Sequence, residues 1–384
     1  MTELSNEEIQ RYSRHLVMPD VSLAGQLQLK RARVLCVGAG GLGSPLALYL
    51  AAAGIGTLGL VECDVVDLSN IQRQILYGSA DVGRQKLAAA CERLRQLNPH
   101  TEVVPHALRL DAGNVMPIIE RYDIVVDGSD NFPTRYLVND AAVLAGKPNV
   151  HASVYRFEGQ VSVFDAQRGP CYSCLFPEPP PAGLVPSCAQ GGVLGMLPGI
   201  IGSLQALEVV KLILGVGEPL IGRLLAFDGL RGTLRELRVD KDPHCAVCGA
   251  GAVIAAPRPD VGLQSGACVA VRDAEAADAI PVITVEELAA DLHGQKSVTL
   301  LDVRDPGELA LARIPGATHI PLSELAQRLG ELNQANTYVV TCHRGARSLR
   351  ACAVLREAGF EQVKSLQGGI DAWAQHIDPS MARY

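Results

Sequence analysis

From Ala32 onward, short apolar runs alternate with segments whose apolar residues recur every three to four positions. The runs suit buried strands and the periodic segments suit helices. The pattern predicts strands over 33–37, 57–62, 103–108, 124–127 and 149–153, with helices over 42–53, 83–97, 112–121 and 133–145 between them. Such alternation gives an α/β fold: a doubly wound, mostly parallel sheet covered on both faces. Residues 159–164, 224–227 and 233–238 read as further strands, partly antiparallel, and 204–214 as a helix. Ahead of them, residues 1–30 are helical in pattern. Ser5 and Glu8 have capping-box spacing, and Ile9, Tyr12 and Leu16 follow at helical intervals.

Composition then shifts. Ala, Gly and Pro rise between 249 and 280, around Pro257-Arg258-Pro259, with no periodicity, as in a linker. A second α/β unit starts near Ile283. Thr284 is placed to cap a helix, 298–303 and 337–341 read as strands, and a helix follows over about 348–358. The expected organisation is a domain over 1–250, a linker over 251–280 and a small domain over 281–384. A chain of 384 residues is too long for one core, which agrees.

Net charge is −7 and no long Lys/Arg run occurs, so no nucleic acid is expected as a partner. The N-terminus is acidic and polar, without the pattern of a signal peptide. The longest uncharged stretch, 179–207, is interrupted by Pro179, Pro180, Pro181, Pro186 and Pro198 and does not read as a spanning helix. A soluble, cytoplasmic protein with no membrane partner is expected. In that compartment the eleven cysteines are metal ligands, nucleophiles or small core residues rather than disulfides.

Three groups of residues carry chemistry. Gly38-Ala39-Gly40-Gly41-Leu42-Gly43 follows a strand and opens a helix, so Gly38, Gly40, Gly41 and Gly43 let backbone N–H groups approach a phosphate. Glu62 ends the next strand, within reach of ribose hydroxyls. Alone this suits a dinucleotide enzyme. Asp64 comes next, then Ser69-Asn70-Ile71-Gln72-Arg73-Gln74, then Lys86, then Asp127-Gly128-Ser129-Asp130-Asn131 after a strand. Cations and an aspartate at strand ends suit a triphosphate with Mg2+: Arg73 and Lys86 on phosphate oxygens, Asp130 on the metal.

The second group is Cys171-x-x-Cys174 with Cys245-x-x-Cys248. Four thiolates suit a closed, structural zinc knuckle. Redox pairs and an iron–sulfur cluster are the rivals, and two pairs rather than one speak against the redox reading. The third is the loop Cys342-His343-Arg344-Gly345-Ala346-Arg347-Ser348, between a strand and a helix. That layout sets the sulfur in a ring of backbone N–H groups beside Arg344 and Arg347, which favours the nucleophilic thiolate. Cys188 lies in a proline-rich, extended loop of the kind that can guide a peptide tail.

These motifs carry a resemblance. Arg11 to Gly249 resembles the MoeB/ThiF family of ubiquitin-activating-enzyme-like adenylyltransferases, through Ser69–Gln74, Asp130-Asn131, Phe157-Glu158-Gly159-Gln160 and Cys171-Tyr172-Ser173-Cys174. Residues 280–384 resemble a rhodanese sulfurtransferase domain, through Leu301-Asp302-Val303-Arg304, Ile314-Pro315-Gly316-Ala317, Gly368-Gly369 and the Cys342 loop. The order is that of MoeB–rhodanese fusions of the molybdopterin-synthase sulfurylase type.

The resemblance implies a Rossmann-like first domain with zinc on its four cysteines. It implies ATP on Gly41, Glu62, Ser69 to Arg73, Lys86, Asp130 and Asn131, and a homodimer in which Arg14 reaches the neighbouring subunit's triphosphate. The family pattern has Asp where Glu62 stands; the longer Glu can still bridge ribose hydroxyls. The implied substrate is the C-terminal Gly-Gly of a ubiquitin-like (MoaD/ThiS-like) sulfur carrier. Its carboxylate is adenylylated with help from Arg14, Arg73, Lys86 and Asp130. A Cys342 persulfide, loaded from a cysteine desulfurase or thiosulfate, then attacks, and Cys188 resolves the acyl disulfide to release a thiocarboxylate. Molybdenum cofactor biosynthesis is among the destinations for that sulfur. The alternative is an activating enzyme for protein conjugation using a Cys188 thioester. An NAD dehydrogenase is the fold-level rival, without an evident hydride-transfer domain.

Overall fold

A computed structural model describes residues 3–180, 192–252, 254–258, 280–294 and 298–384. The chain divides into two compact units, Met1–Ala270 and Val271–Tyr384.

The first unit holds β1 (Arg33–Val37), β2 (Thr57–Val61), β3 (Glu102–His106), β4 (Ile124–Asp127), β5 (Asn149–Tyr155), β6 (Glu158–Phe164), β7 (Arg223–Asp228) and β8 (Thr233–Arg238). They form one sheet in the order β3-β2-β1-β4-β5-β6-β7-β8. Pairings from β3 through β5 are parallel, and β6 to β8 add on antiparallel. Successive residues of β1 serve opposite faces. Val34 and Cys36 pack with Leu46, Leu50 and Val209, whereas Leu35 and Val37 pack with Ile119, Val125 and Leu137. Both faces are buried, which is why the strand reads as an unbroken apolar run.

Three elements differ from the sequence expectation, each for a local reason. The helix Lys86–Leu97 starts late because residues 83–85 are held against Val65 and Val66 by backbone bonds, including Val66 N to Arg84 O at 2.9 Å. The helix Val115–Ile119 is short because the Asp111 carboxylate accepts from Gly113 N (2.8 Å) and Asn114 N (3.0 Å), making a turn first. The helix expected over 204–214 runs over Met196–Leu214. Pro198 sits in its first turn, where no intrahelical N–H is needed. Among the described residues this is the one helix long and apolar enough to cross a membrane. It covers the sheet: Ile201 and Val209 are buried, and Gln205 donates to Asp127 O (3.0 Å) and Val150 O (3.1 Å).

The second unit is a parallel sheet of β9 (Val282–Ile283), β10 (Val298–Asp302), β11 (Thr318–His319), β12 (Thr337–Thr341) and β13 (Val363–Leu366), ordered β11-β10-β12-β13-β9. Its first helix, Val285–His293, opens on the Thr284/Glu287 capping box. Leu301 and Val340 face Ala351 and Leu355, while Leu300 and Val339 face Leu288 and Trp373.

Candidate active sites

In the first sheet the chain leaves β1 toward β2 and β3, then crosses to β4 on the other side. The carboxyl ends of β1 and β4 flank this switch point, where open α/β sheets bind ligands. The glycine loop follows β1, Glu62 follows β2 and Asp130 follows β4, so three candidate groups share one sheet edge. Gly38 has φ +88, and a Cβ at Gly43 would run into Gly38 O. Both positions require glycine.

Glu62 lies against this loop. One carboxylate oxygen accepts from Ala39 N (3.1 Å), the other from Cys63 N (2.9 Å) and Asp64 N (3.0 Å). Ser69 is fixed by Asp67, and Arg73 donates to Ser69 O at 3.0 Å, curling the run 69–73 on itself. The Arg73 stem and Pro198 flank Gly41, and Gln74 flanks Gly40. Lys86 opens its helix with a buried side chain paired to Asp64 at 3.3 Å. Asn131 accepts from Thr134 N (3.0 Å) and so caps the helix Phe132–Leu144. Asp130 and Arg14 are exposed. Gly195 presses on the backbone of Gln72, next to Ile71 and Asn70. Cys188 lies outside the described residues.

A buried pair that no sequence motif marks lies at the end of β4, three residues before Asp130. Asp127 is fully buried. One oxygen accepts from Ser129 N (3.0 Å) and Ser129 Oγ (2.6 Å), the other from His151 Nδ1 (2.9 Å). Burial holds His151 below its ordinary value, so a neutral ring donates Nδ1–H. The signal lay in strand register: parallel pairing sets His151 directly opposite Asp127.

The four cysteines converge as expected. Sγ separations are 3.9 Å for Cys171–Cys174, 3.6 Å for Cys171–Cys245 and 3.4 Å for Cys174–Cys248. Thiolates about 2.3 Å from one tetrahedral zinc would stand about 3.8 Å apart, so the cluster fits that ion. Val247 N donates to Cys245 Sγ at 3.5 Å, a knuckle contact. Arg258, read from sequence as a linker residue, grips fully buried Asp140 through Nε (2.6 Å) and Nη2 (2.9 Å) and reaches Ser173 Oγ (3.4 Å).

In the second unit Cys342 is the first residue after β12. Gly368-Gly369 orient its loop: Ile370 N donates to Cys342 O (2.9 Å) and Asp371 N to His343 O (3.1 Å). A Cβ at Gly369 would collide with both carbonyl groups. Cys342 itself is only 1% exposed. The expected ring of donors is smaller than the sequence suggested. Among the described residues, Gly345 N is the one backbone donor to the sulfur, at 3.1 Å, because Gly345 turns back with φ +108. The helix starts at Ala346, and its first N–H groups have no intrahelical acceptor. Ser348 Oγ is 3.6 Å from the thiol. The cations are committed elsewhere: Arg347 makes a bidentate pair with Glu308 (2.6 and 2.6 Å), and Arg344 is exposed, 3.8 Å from Asp371.

A switch-point nucleotide crevice with a four-cysteine knuckle, followed by a cysteine loop on a parallel sheet, defines a two-part sulfur-handling enzyme. Residues 12–247 match the ThiF family and 284–376 the rhodanese-like domain. The chain belongs to the ThiF family and carries a rhodanese-like domain behind it. The "Probable adenylyltransferase/sulfurtransferase MoeZ" of Mycobacterium tuberculosis is 48% identical over 99% of this chain and 96% of its own length. The "Adenylyltransferase and sulfurtransferase MOCS3" of Bos taurus is 44% identical, over 99% and 89%. The crystal structure of E. coli MccB with AMPCPP and MccA is 25% identical with a TM-score of 0.55, covering 62% of this chain and 74% of that one. The resemblance drawn from Ser69–Gln74 and the Cys342 loop holds.

Proposed function

We propose that this chain adenylylates the C-terminal glycine of a ubiquitin-like sulfur-carrier protein with ATP and converts it to a thiocarboxylate with sulfur borne on Cys342. The observation that carries this reading is the presence of both sites in one chain, each with its backbone shaped for its task. The glycine loop can cradle phosphate, and the Gly345 turn supports a cysteine sulfur. Relatives named for both activities along 99% of the chain support it. The ThiF-type neighbour holding AMPCPP supports ATP as the nucleotide.

In the first step the carrier carboxylate attacks the α-phosphorus and pyrophosphate leaves. Arg73, Lys86 and, from a partner subunit of a homodimer, Arg14 stabilise phosphate charge, while Asp130 holds Mg2+. Glu62, with Asp64 beside it, takes the ribose. In the second step the outer sulfur of a Cys342 persulfide attacks the acyl carbon and AMP leaves. A second thiol, for which Cys188 is the candidate, attacks the Cys342 sulfur. That releases the thiocarboxylate and leaves a disulfide for a cellular dithiol to reduce. A thiol as buried as Cys342 suits a small donor such as thiosulfate, or the extended persulfide of a cysteine desulfurase. The added sulfur moves the reactive atom about 2 Å outward. Zinc on the four cysteines is structural, and the enzyme is cytoplasmic.

The test is the mass of ubiquitin-like proteins ending in Gly-Gly after incubation with enzyme, ATP and thiosulfate. Replacement of one oxygen by sulfur is expected. It should be lost in Asp130→Ala, which should keep thiosulfate-to-cyanide transfer. Covalent carrier–protein adducts in place of thiocarboxylate would instead support a conjugating enzyme.

A further inference from the structure

Tyr384 occupies a place that no motif explains. Its ring lies flat on His343, the residue after the nucleophile, with centroids 4.4 Å apart and planes 5° from parallel. Its hydroxyl accepts from Arg304 Nη1 (2.5 Å) and donates to Glu308 Oε1 (3.0 Å). Glu308 is the carboxylate that holds Arg347 of the cysteine loop. Arg304 is itself held on several sides: it is fully buried and donates to both Asp302 oxygens (2.6–3.0 Å) and to Ala312 O (2.8 Å). One side chain thus ties both ends of the loop to a fixed post.

His343 depends on this contact. Its Nε2 is buried and makes no hydrogen bond among the described residues, so ring stacking is what sets its plane. The Tyr384 hydroxyl also holds Glu308, the carboxylate paired with Arg347, which is the second residue of the helix that follows Gly345, the backbone donor to the Cys342 sulfur. Small displacements of a positioned group are costly in rate, so a brace at this point acts on turnover more than on binding.

We propose that Tyr384 is a positioning residue for sulfur transfer at Cys342, acting through His343 and through the Glu308–Arg347 pair. This rests on the reading of Cys342 as the sulfur-bearing residue. Tyr384→Phe keeps the stack and removes the hydroxyl bridge. In the full-length enzyme, kcat for thiosulfate-to-cyanide transfer should fall about tenfold while KM for thiosulfate changes by less than about twofold. The melting transition of the second unit and ATP–pyrophosphate exchange should stay as in wild type. Glu308→Gln should give a similar loss, and the double variant no further loss, because both act on one chain of contacts. Losses that multiply in the double variant, a Tyr384→Phe enzyme with wild-type kcat, or an effect confined to KM would each overturn the proposal. Absence of transfer in the wild type would overturn the reading of Cys342 itself, a result distinct from those three.

Discussion

Losing the four-cysteine cluster should cost the first unit much of its stability and leave the second untouched. The cluster joins Cys171 to Cys245 and Cys174 to Cys248, each pair 74 positions apart. Closing a loop of that length restricts the unfolded chain by about 4 kcal/mol. For a unit of this size each kcal/mol moves the melting temperature by about 2–4 °C, so a drop of about 10 °C is expected. Calorimetry of the full chain should show two transitions. Cys248→Ser, or a strong chelator, should lower only the one belonging to the first unit, and zinc analysis should find one ion per chain before treatment and none after. Thiosulfate-to-cyanide transfer should persist, since Cys342 lies in the other unit. Metal-free protein that melts as the untreated protein does would refute the reasoning, because the sulfur positions would then be an unstrained thiol core.

Other expectations follow from single contacts. Gly43→Ala puts a Cβ into Gly38 O and should abolish ATP–pyrophosphate exchange while leaving thiosulfate-to-cyanide transfer intact. Gly369→Ala, at φ +58 against the Cys342 and His343 carbonyls, should do the reverse. Arg258→Ala strands the buried Asp140 charge and should destabilise the first unit by about 3 kcal/mol, read by urea titration. Burial raises the Glu308 carboxyl, yet its Arg347 pair outweighs this and holds it below its ordinary 4.5. A depressed carboxyl stabilises above 4.5, and that contribution is lost as pH falls through the lowered folded value. Acid melting of the second unit should therefore be less steep below 4.5 in Glu308→Gln.

What could be read from the chain alone was whatever depends on neighbours in sequence. The β1 run, the Thr284 cap, the glycine loop and the cysteine spacings each declare their geometry within a few residues. Contacts between distant residues were silent. His151 meets Asp127 only through the register of β4 and β5. Arg258 meets Asp140 across 118 positions, and so looked like part of a linker. Pro198 read as a breaker because nothing local says that it falls in a first turn rather than a helix interior. Arg347 looked like a companion to the thiolate, since a cation beside a cysteine does not reveal that Glu308 already holds it. The cysteine loop was thus recognised from its own residues, while the groups that fix its shape came from elsewhere in the fold.

The central claim is a division of labour: activation of a carboxylate in the first unit and delivery of sulfur from Cys342 in the second. Cys342→Ala in the full-length enzyme tests it most directly, assayed side by side for carrier-dependent ATP–pyrophosphate exchange and for thiocarboxylate formation. The account predicts exchange at the wild-type rate with no thiocarboxylate. Loss of exchange along with sulfur transfer, or thiocarboxylate formed at an undiminished rate, would contradict it.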